Sequence, residues 1–540
     1  MPTLKGCFLP AQALVNKWQP DVVRIAYHIM ARYRRLIHDS IPVSHLLQTS
    51  MDKMVSIGKK PESLAIVMLF VGALLVRLGL LLVSVDVPGD GPSRAFMAYA
   101  WSRAPVLVTH GGWLPSYLYL PGLFHFVVDD PLVSTRIFNL ILGSLTIPLY
   151  YFLIRKVYDR PVALLASLLL AVFPLHIGLS VSSLTEIGFL FATITSMLLL
   201  TGIGEGQGGW ARLALCFLFL SWAQMTRYEA WWVTPAFALY YGLRTQSVKN
   251  GVLALAIFSL VPSAWMLGNY FHGGHPIPAF HAVRHAVYQE PHAATLVSAR
   301  QLDVLEALKL LGSMTVSHLG GILTVAIVGG VLWQLVLITR SANKPEQVMY
   351  LAVVCLYWLG LVYLAMNIGA SVWNRFLLFA FVMSLPLAFF PFVGPLMSHR
   401  RSLAMIVCAI LVAAGISTFP RQRPLWVTLQ RPTDITNLVT WLKQSPYRHD
   451  PLLVTDMAWK ATYIPLYFPE VRMEMVSPWV EDDEVYDFVK KQPPSLLITQ
   501  DGEAKLQARI ENIIGKPIAA HSLVHQEGAI KVYLLAAEPQ

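Results

Sequence analysis

Long apolar runs recur along most of this chain, and they constrain its fold more than any other feature. They follow one another from residue 64 to residue 419, separated by short polar or basic segments and by two long ones, at 86–131 and 272–313, which are the first and second outward loops of the predicted topology. A helix needs about 20 predominantly apolar residues to cross a bilayer. Hydrophobic residues make up 55% of the sequence and charged residues only 13%, whereas a soluble protein carries about 25% charged residues. The pattern therefore predicts a multi-pass α-helical membrane protein.

About eleven candidate membrane helices can be delimited in this way. Two of them, at 213–226 and 230–243, are short for full crossings, so a hairpin and one long helix both stay open. Arg227, Glu229 and Pro235 in the middle of this stretch favour the hairpin. The candidates are 64–85, 132–154, 162–178, 184–200, 213–226, 230–243, 252–271, 314–338, 348–366, 376–397 and 403–419.

Basic residues lie at alternate junctions between these runs, which is typical of loops that face the cytoplasm. This bias predicts a basic cytoplasmic segment at 1–62, a transmembrane domain at 63–419 and an extracytoplasmic domain at 420–540. The first segment could instead hold a helix that lies on anionic lipid. After residue 419, short apolar strands such as 452–455 and 495–499 alternate with polar-faced helices, which predicts a small soluble α/β domain. The net charge of +10 is spread among the membrane runs, so nucleic acid is not an expected partner.

Charged side chains at membrane depth are costly and usually functional. In the predicted topology they collect at the outward end of the bundle, from distant parts of the sequence. A carboxylate can act as a general base toward a hydroxyl, and arginines can neutralise a phosphate leaving group. We therefore expect one site that transfers a group from a lipid phosphate. Its candidate residues are Asp90, Arg94, Arg136, Glu186, Arg227, Glu229 and Arg375.

The chain resembles the C-type glycosyltransferases in the segments VDVPGDGPSRAFMAYAW (85–101), HGGWLPSYLYLPG (110–122) and STRIFNLILGSLTIPLYYFLIRKVYDR (134–160). These are polytopic enzymes that use polyprenyl-phosphate-linked sugars. The nearest group contains the protein O-mannosyltransferases and the aminoarabinose transferase of lipid A. The resemblance covers residues 64–400 and rests on the order of several short motifs. It implies a cell-membrane enzyme whose active face is extracytoplasmic and whose acceptor is a protein, a lipid or a glycan.

The resemblance also implies roles for individual residues. Asp90 in GDGP occupies the position of the family's acid in the first outward loop, which would make it the general base of an inverting transfer. Glu186 in SSLTEIGFLF matches a second acid at the start of the fourth helix. Arg227 and Glu229 in MTRYEAWW, and Arg375 in NRFLLF, resemble two later signatures.

The sequence departs from the family pattern in two places. Asp90 is followed by Gly91 where many relatives have a glutamate, which puts a paired acid or metal role in doubt. A WWDYG motif, found in the oligosaccharyltransferase branch, is not in the sequence. Transfer of an oligosaccharide to asparagine is therefore disfavoured.

Each candidate also has a structural interpretation. Asp90 could stabilise a Gly-Asp-Gly-Pro turn, and Arg227 and Arg375 could reach toward interfacial water rather than bind the donor phosphate. Glu186 could form a structural ion pair, and so could Arg94 and Arg136 with nearby acids. Trp113 could stack on a sugar or simply lie at the interface.

The density of histidines in the second outward loop suggests a metal site, because imidazole is a common metal ligand. These histidines are His272, His275, His281, His285 and His292. Their spacing fits no compact site, so a divalent metal stays open but is not supported by the sequence, and no cofactor is certain. A loop that covers the donor or acceptor groove is the favoured interpretation of this segment. A transporter or flippase of lipid-linked sugars is the alternative function. A transporter would place polar residues near the bilayer midplane and often contains repeats, whereas here the charges collect at one end.

Overall fold

The computed structural model describes residues 61–87, 89–202, 209–277, 302–340, 344–368, 374–399, 401–418, 427–455, 457, 459–476 and 482–535. The predicted basic segment lies outside the described residues, except for Pro61 and Glu62. His281, His285 and His292 of the second outward loop lie outside them as well.

Most of the described chain before residue 419 is helical. Five helices in the described ranges are long and apolar enough to cross a membrane, and up to seven crossings result if each of two bent pairs is one span. The chain is therefore a polytopic membrane protein, and the exact number of eleven crossings stays a prediction. The helices are α1 (Pro61–Val83), α2 (Asp90–Arg103), α3 (Ser116–Phe124), α4 (Ser134–Val157), α5 (Arg160–Val172), α6 (Pro174–Ser180), α7 (Glu186–Thr201), α8 (Gly209–Gln224), α9 (Glu229–Thr245), α10 (Val248–Phe258), α11 (Leu260–Gly273), α12 (Val304–Leu319), α13 (Gly321–Arg340), α14 (Pro345–Ile368), α15 (Leu377–His399) and α16 (Arg401–Ser417).

Three predicted membrane helices are interrupted, and one of them, the candidate at 252–271, is the pair α10 and α11, bent by 41°. The candidate at 162–178 is the pair α5 and α6, bent by 60°, because Pro174 at the start of α6 has no backbone N–H to continue the helix. The candidate at 314–338 is wrong as one helix, since its first residues belong to α12 and the rest to α13. The break is at Gly320, whose φ of +78° is unfavourable for a residue with a side chain.

The stretch from 209 to 245 forms two helices that fold back on each other. Gln224 near the end of α8 donates from Nε2 to Thr234 Oγ1 in α9 at 2.8 Å. In one continuous helix these two residues would be about 15 Å apart along the axis. The direct hydrogen bond therefore requires a reversal of the chain between them, which is the hairpin that Arg227, Glu229 and Pro235 favour.

The chain after residue 426 forms an α/β arrangement, here called the C-terminal unit (the described residues of 427–535). Its five-stranded sheet has the order β4-β3-β5-β7-β6, with β3 parallel to both β4 and β5 and the other pairs antiparallel. A two-stranded ladder joins the unit to the membrane part, because β1 after α1 pairs with β2. The remaining elements are β1 (Val85–Asp86), β2 (Val427–Thr428), α17 (Thr433–Gln444), β3 (Leu452–Thr455), α18 (Ile464–Tyr467), β4 (Met473–Val476), α19 (Asp482–Lys491), β5 (Leu496–Gln500), α20 (Ala504–Ile514), β6 (Ser522–Glu527) and β7 (Ile530–Leu534).

Candidate active site

Asp90 lies at the start of α2, just beyond the C-terminal end of α1. Its Oδ2 accepts a hydrogen bond from Nη2 of Arg375 at 2.5 Å, although 285 residues separate the two in sequence. Arg375 lies in a short 3₁₀ turn, Asn374–Phe376, that precedes α15. Its Nε is 3.5 Å from Oε1 of Glu186, the first residue of α7. Three distant segments thus bring two acids and one guanidinium together.

A second guanidinium lies on the other side of Glu186. Arg227, in the turn between α8 and α9, donates from Nη1 to Glu186 Oε1 at 2.6 Å and from Nη2 to Glu229 Oε1 at 2.5 Å. The side chains of all three residues are at most 8% exposed. Buried charges of this kind need excellent pairing because their removal from water is unfavourable. Glu186 therefore accepts a hydrogen bond from Arg227 and forms a longer ion pair with Arg375.

Arg94 and Trp113 join the same region. Arg94 lies one turn after Asp90 on α2, so the two residues share a face of that helix. Its guanidinium carbon lies 4.4 Å from the centre of the Trp113 ring and 5.1 Å from that of Tyr117. Both distances are within the range of a cation–π contact. Trp113 therefore stacks on a site arginine.

The charges of this site balance. Three carboxylates and three guanidiniums meet in it among the described residues, so its formal net charge is zero. We call this group the acid–arginine cluster. Its members are Asp90, Glu186, Glu229, Arg94, Arg227 and Arg375.

Two opposing effects act on the pKa of Asp90. Burial raises it, whereas the guanidiniums of Arg375 and Arg94 lower it, and the net result is a pKa below the usual value of an aspartate. Asp90 is therefore ionised at neutral pH, with its charge held by Arg375.

Arg136 makes different contacts from the other predicted residues. Its Nε donates to Val181 O at 2.7 Å, and its two terminal nitrogens donate to Ser84 O and Ser84 Oγ, each at 2.8 Å. These bonds join the C-terminal ends of α1 and α6 to the N-terminal end of α4. None of its recorded hydrogen bonds goes to the acid–arginine cluster, so its substrate-binding role stays a prediction without support from these contacts.

Sequence reasoning did not select two residues that the structure places at the site. Phe376 lies under both arginines, 4.9 Å from the guanidinium carbon of Arg227 and 5.5 Å from that of Arg375. It directly follows Arg375 in NRFLLF, so the motif itself was the available signal. Tyr117, in α3, contacts Arg94 and lies four residues after Trp113, within the segment that carries the resemblance.

The histidines of the second outward loop do not form a metal site in the part of it that is described. Among the described residues of the whole chain, no group of three or more His, Cys, Asp or Glu is placed to hold a metal ion. His272 instead stacks on His110, with the ring centres 4.0 Å apart. This pair joins the loop before α3 to the end of α11.

Comparison with known proteins is consistent with this architecture. Residues 110–266 match the family described as dolichyl-phosphate-mannose-protein mannosyltransferase. That range contains Trp113, Glu186, Arg227 and Glu229 of the site. A search of curated proteins finds no match to the sequence.

Solved structures match over most of the chain. The fold is similar to that of ArnT from Cupriavidus metallidurans bound to undecaprenyl phosphate, with a TM-score of 0.57 and 13% identity over 88% of this chain and 99% of that one. It is also similar to the archaeal oligosaccharyltransferase AglB from Archaeoglobus fulgidus in complex with an inhibitory peptide and a dolichol-phosphate, with a TM-score of 0.56 and 12% identity over 85% of this chain and 71% of that one. The chain thus shares the fold of the C-type glycosyltransferases. The family match at 110–266 and this fold together support a membrane glycosyltransferase.

Proposed function

We propose that the chain transfers a sugar from a polyprenyl-phosphate donor to an acceptor hydroxyl, with Asp90 as the general base. The observation that carries this proposal is the meeting of Asp90, Glu186 and Arg375 from three distant segments. Support for a lipid-phosphate donor comes from the family match at 110–266 and from the fold shared with ArnT, whose structure holds undecaprenyl phosphate. The acceptor hydroxyl belongs to a protein, a lipid or a glycan.

The proposed reaction is a single displacement. The acceptor oxygen attacks the anomeric carbon while Asp90 takes the hydroxyl proton, and the bond between that carbon and the phosphate oxygen breaks. Attack opposite to the leaving group inverts the anomeric centre. The polyprenyl phosphate leaves with one more negative charge than the phosphate had in the donor, and fixed guanidiniums stabilise that developing charge.

The closed ion pair between Asp90 and Arg375 is the resting arrangement in this proposal. A donor phosphate adds negative charge to a cluster that is already neutral, so it competes with Asp90 for Arg375. When Arg375 turns toward the phosphate, Asp90 loses the neighbour that lowers its pKa most. The pKa of Asp90 then rises, because burial now acts on it with less opposition. Donor binding would thus make Asp90 a stronger base at the moment when the acceptor reacts.

The proposed active face is extracytoplasmic. Arg155 and Lys156 lie in the last turn of α4, whereas Arg136 and the nearby acids lie at its other end. Arg340 likewise ends α13. Basic helix ends favour the cytoplasmic side, which leaves the acid–arginine cluster on the opposite side, together with the C-terminal unit.

The direct test is an assay of purified protein with a panel of undecaprenyl- and dolichyl-phosphate sugars, in which mass spectrometry identifies the consumed donor. We expect Asp90→Asn to lower kcat by about 10²–10⁴-fold, which is the usual contribution of a general base. Arg103→Met is the matched control, because Arg103 pairs with Asp129 at the surface, away from the cluster. Full transfer by Asp90→Asn would refute the assignment of the base. Movement of intact donor across proteoliposomes without its cleavage would instead support a flippase.

A binding measurement tests the competition for Arg375 separately. The probe is undecaprenyl phosphate, titrated into the detergent-solubilised protein. Asp90→Asn should bind it more tightly than the wild type, because the substitution removes the charge that holds Arg375. Arg375→Met should bind it more weakly. Equal affinity in all three proteins would exclude Arg375 as a phosphate ligand.

A further inference from the structure

The segment that carries Asp90 is fastened to the C-terminal unit. Tyr463 donates a hydrogen bond from its hydroxyl to the backbone oxygen of Asp86. The backbone N–H of Gly89 donates to Thr462 Oγ1 at 3.2 Å. Both bonds connect residues that are more than 370 positions apart in sequence. Gly89 is the residue that immediately precedes Asp90 and α2.

The ladder between β1 and β2 strengthens this connection. Asp86 pairs with Val427, and Val85 pairs with Thr428. On α2 itself, Ala95 is 1% exposed and belongs to the hydrophobic core of the C-terminal unit. The unit therefore contacts the segment before, at and after the start of α2.

The membrane part holds the same segment from the other side. The Asp86 carboxylate accepts a hydrogen bond from the backbone N–H of Ser183 at 2.9 Å. Gly91 lies so close that an added Cβ would be 3.3 Å from Asp86 Cγ. The start of α2 thus lies between two anchors, one in the membrane bundle and one in the C-terminal unit.

Two described residues just before Thr462 in the C-terminal unit, Met457 and Trp459, have an unusual backbone conformation. Trp459 has a φ of +70° and Met457 a φ of +50°, values that L-residues with side chains adopt at a cost. Such conformations persist where the surroundings fix them, and they concentrate at functional sites. Here the Thr462 hydroxyl donates to Trp459 O at 2.6 Å while it accepts from Gly89. One hydroxyl therefore links the strained loop to the residue before Asp90.

From these contacts we infer that Thr462 and Tyr463 are positioning residues, which hold Asp90 in the place from which it reaches the acceptor hydroxyl. The inference rests on the proposed function of Asp90 and extends it, because it makes the C-terminal unit part of the catalytic apparatus. A misplacement of about 1 Å at a reacting group can lower a rate by about 100-fold. Loss of one anchor should therefore lower kcat without weakening donor binding.

The test compares Thr462→Val, Thr462→Ser and Tyr463→Phe in the full-length protein, with the donor that the wild type consumes. Thr462→Val keeps the side-chain volume but loses the hydroxyl, and Thr462→Ser keeps the hydroxyl. We expect Thr462→Val and Tyr463→Phe to lower kcat on the order of 10-fold, with no increase in the donor KM. Thr462→Ser should retain the wild-type kcat. The control is Tyr486→Phe, which removes a phenol hydroxyl elsewhere in the C-terminal unit.

A double variant separates positioning from general weakening of the fold. If Thr462 acts through Asp90, Thr462→Val should lower the residual rate of Asp90→Asn little or not at all, because the base is already lost. Hydrogen–deuterium exchange gives a readout that does not depend on activity. The amides of Gly89, Asp90, Gly91 and Ser93 should exchange faster in Thr462→Val and Tyr463→Phe than in Tyr486→Phe.

The outcomes are distinguishable. If Asp90→Asn retains full transfer, the proposed function fails. If Asp90→Asn is inactive but Thr462→Val and Tyr463→Phe keep the wild-type kcat, only the positioning role fails. The positioning role would also be overturned if the amides of Gly89, Asp90, Gly91 and Ser93 exchanged at the wild-type rate in both variants, whichever donor the protein uses.

Discussion

Arg227 is buried between two glutamates, and its replacement by methionine should destabilise the protein strongly. The substitution leaves Glu229 without the guanidinium that makes both of its recorded hydrogen bonds. It also changes the charge of the acid–arginine cluster from zero to −1. Breaking a buried ion pair by removal of one partner costs about 3–5 kcal/mol. Attraction between unit charges 4 Å apart is itself about 4 kcal/mol at an effective dielectric constant of 20.

A second substitution tests whether the uncompensated charge is the cause. Glu229→Gln on the Arg227→Met background restores neutrality, while Glu186 keeps its contact with Arg375. The double variant should therefore be more stable than Arg227→Met alone, by roughly 1 kcal/mol or more, since residues in one network couple by about 0.5–3 kcal/mol.

The assay is equilibrium unfolding in mixed micelles with a rising fraction of SDS, followed by tryptophan fluorescence. Arg103→Met is the control, because its ion pair with Asp129 has a similar length of 2.6 Å but side chains that are 55% and 57% exposed. Exposed pairs contribute less than about 1 kcal/mol. The reasoning would be refuted if Arg227→Met were no more harmful than Arg103→Met, or if Glu229→Gln failed to restore any stability.

Two further predictions concern packing and pH. Gly330→Ala should lower the thermal midpoint sharply, because the added Cβ would lie 1.9 Å from Leu387 O and α13 would have to move away from α15. Gly329→Ala is the control and should be tolerated, because no atom lies within 4 Å of the position of its Cβ. Equal thermal midpoints for the two variants would contradict the close approach of α13 to α15. Burial and the adjacent His272 lower the pKa of His110 in the folded protein. As the pH falls, the unfolded chain therefore binds the proton first. The contribution of His110 to stability is complete above pH 6.5 and is lost as the pH falls through the lowered folded-state pKa. His110→Gln should therefore flatten the fall of the thermal midpoint between pH 7.5 and pH 5, and an unchanged slope would count against the stacked pair as its source.

The class of protein could be predicted from the sequence because its signals are local. A run of about 20 apolar residues is sufficient to indicate a membrane helix, and positive charges at alternate junctions indicate its orientation. The resemblance to C-type glycosyltransferases rests on short motifs, and the fold confirms it. Asp90, Glu186, Arg227 and Arg375 could be selected because charge is rare and costly in such surroundings.

Interruptions of the helices were harder to predict. Hydropathy carries no information on backbone geometry. The helix predicted at 314–338 therefore runs through Gly320, where a positive φ separates α12 from α13. The bend before Pro174 and the reversal after Gln224 had local signals in the prolines and charges nearby. The hydrogen bond between Gln224 and Thr234 shows that the chain reverses between α8 and α9.

The sequence by itself determined that this protein spans a membrane and carries acids and arginines at one end of its bundle. Only the tertiary structure decided which of them meet. It paired Asp90 with Arg375, directed Arg136 to the carbonyl of Ser84, and brought Tyr463 to Asp86. Hydropathy and charge patterns depend on neighbours along the chain. Contacts between residues hundreds of positions apart depend instead on how whole helices and the C-terminal sheet pack, which no local pattern records.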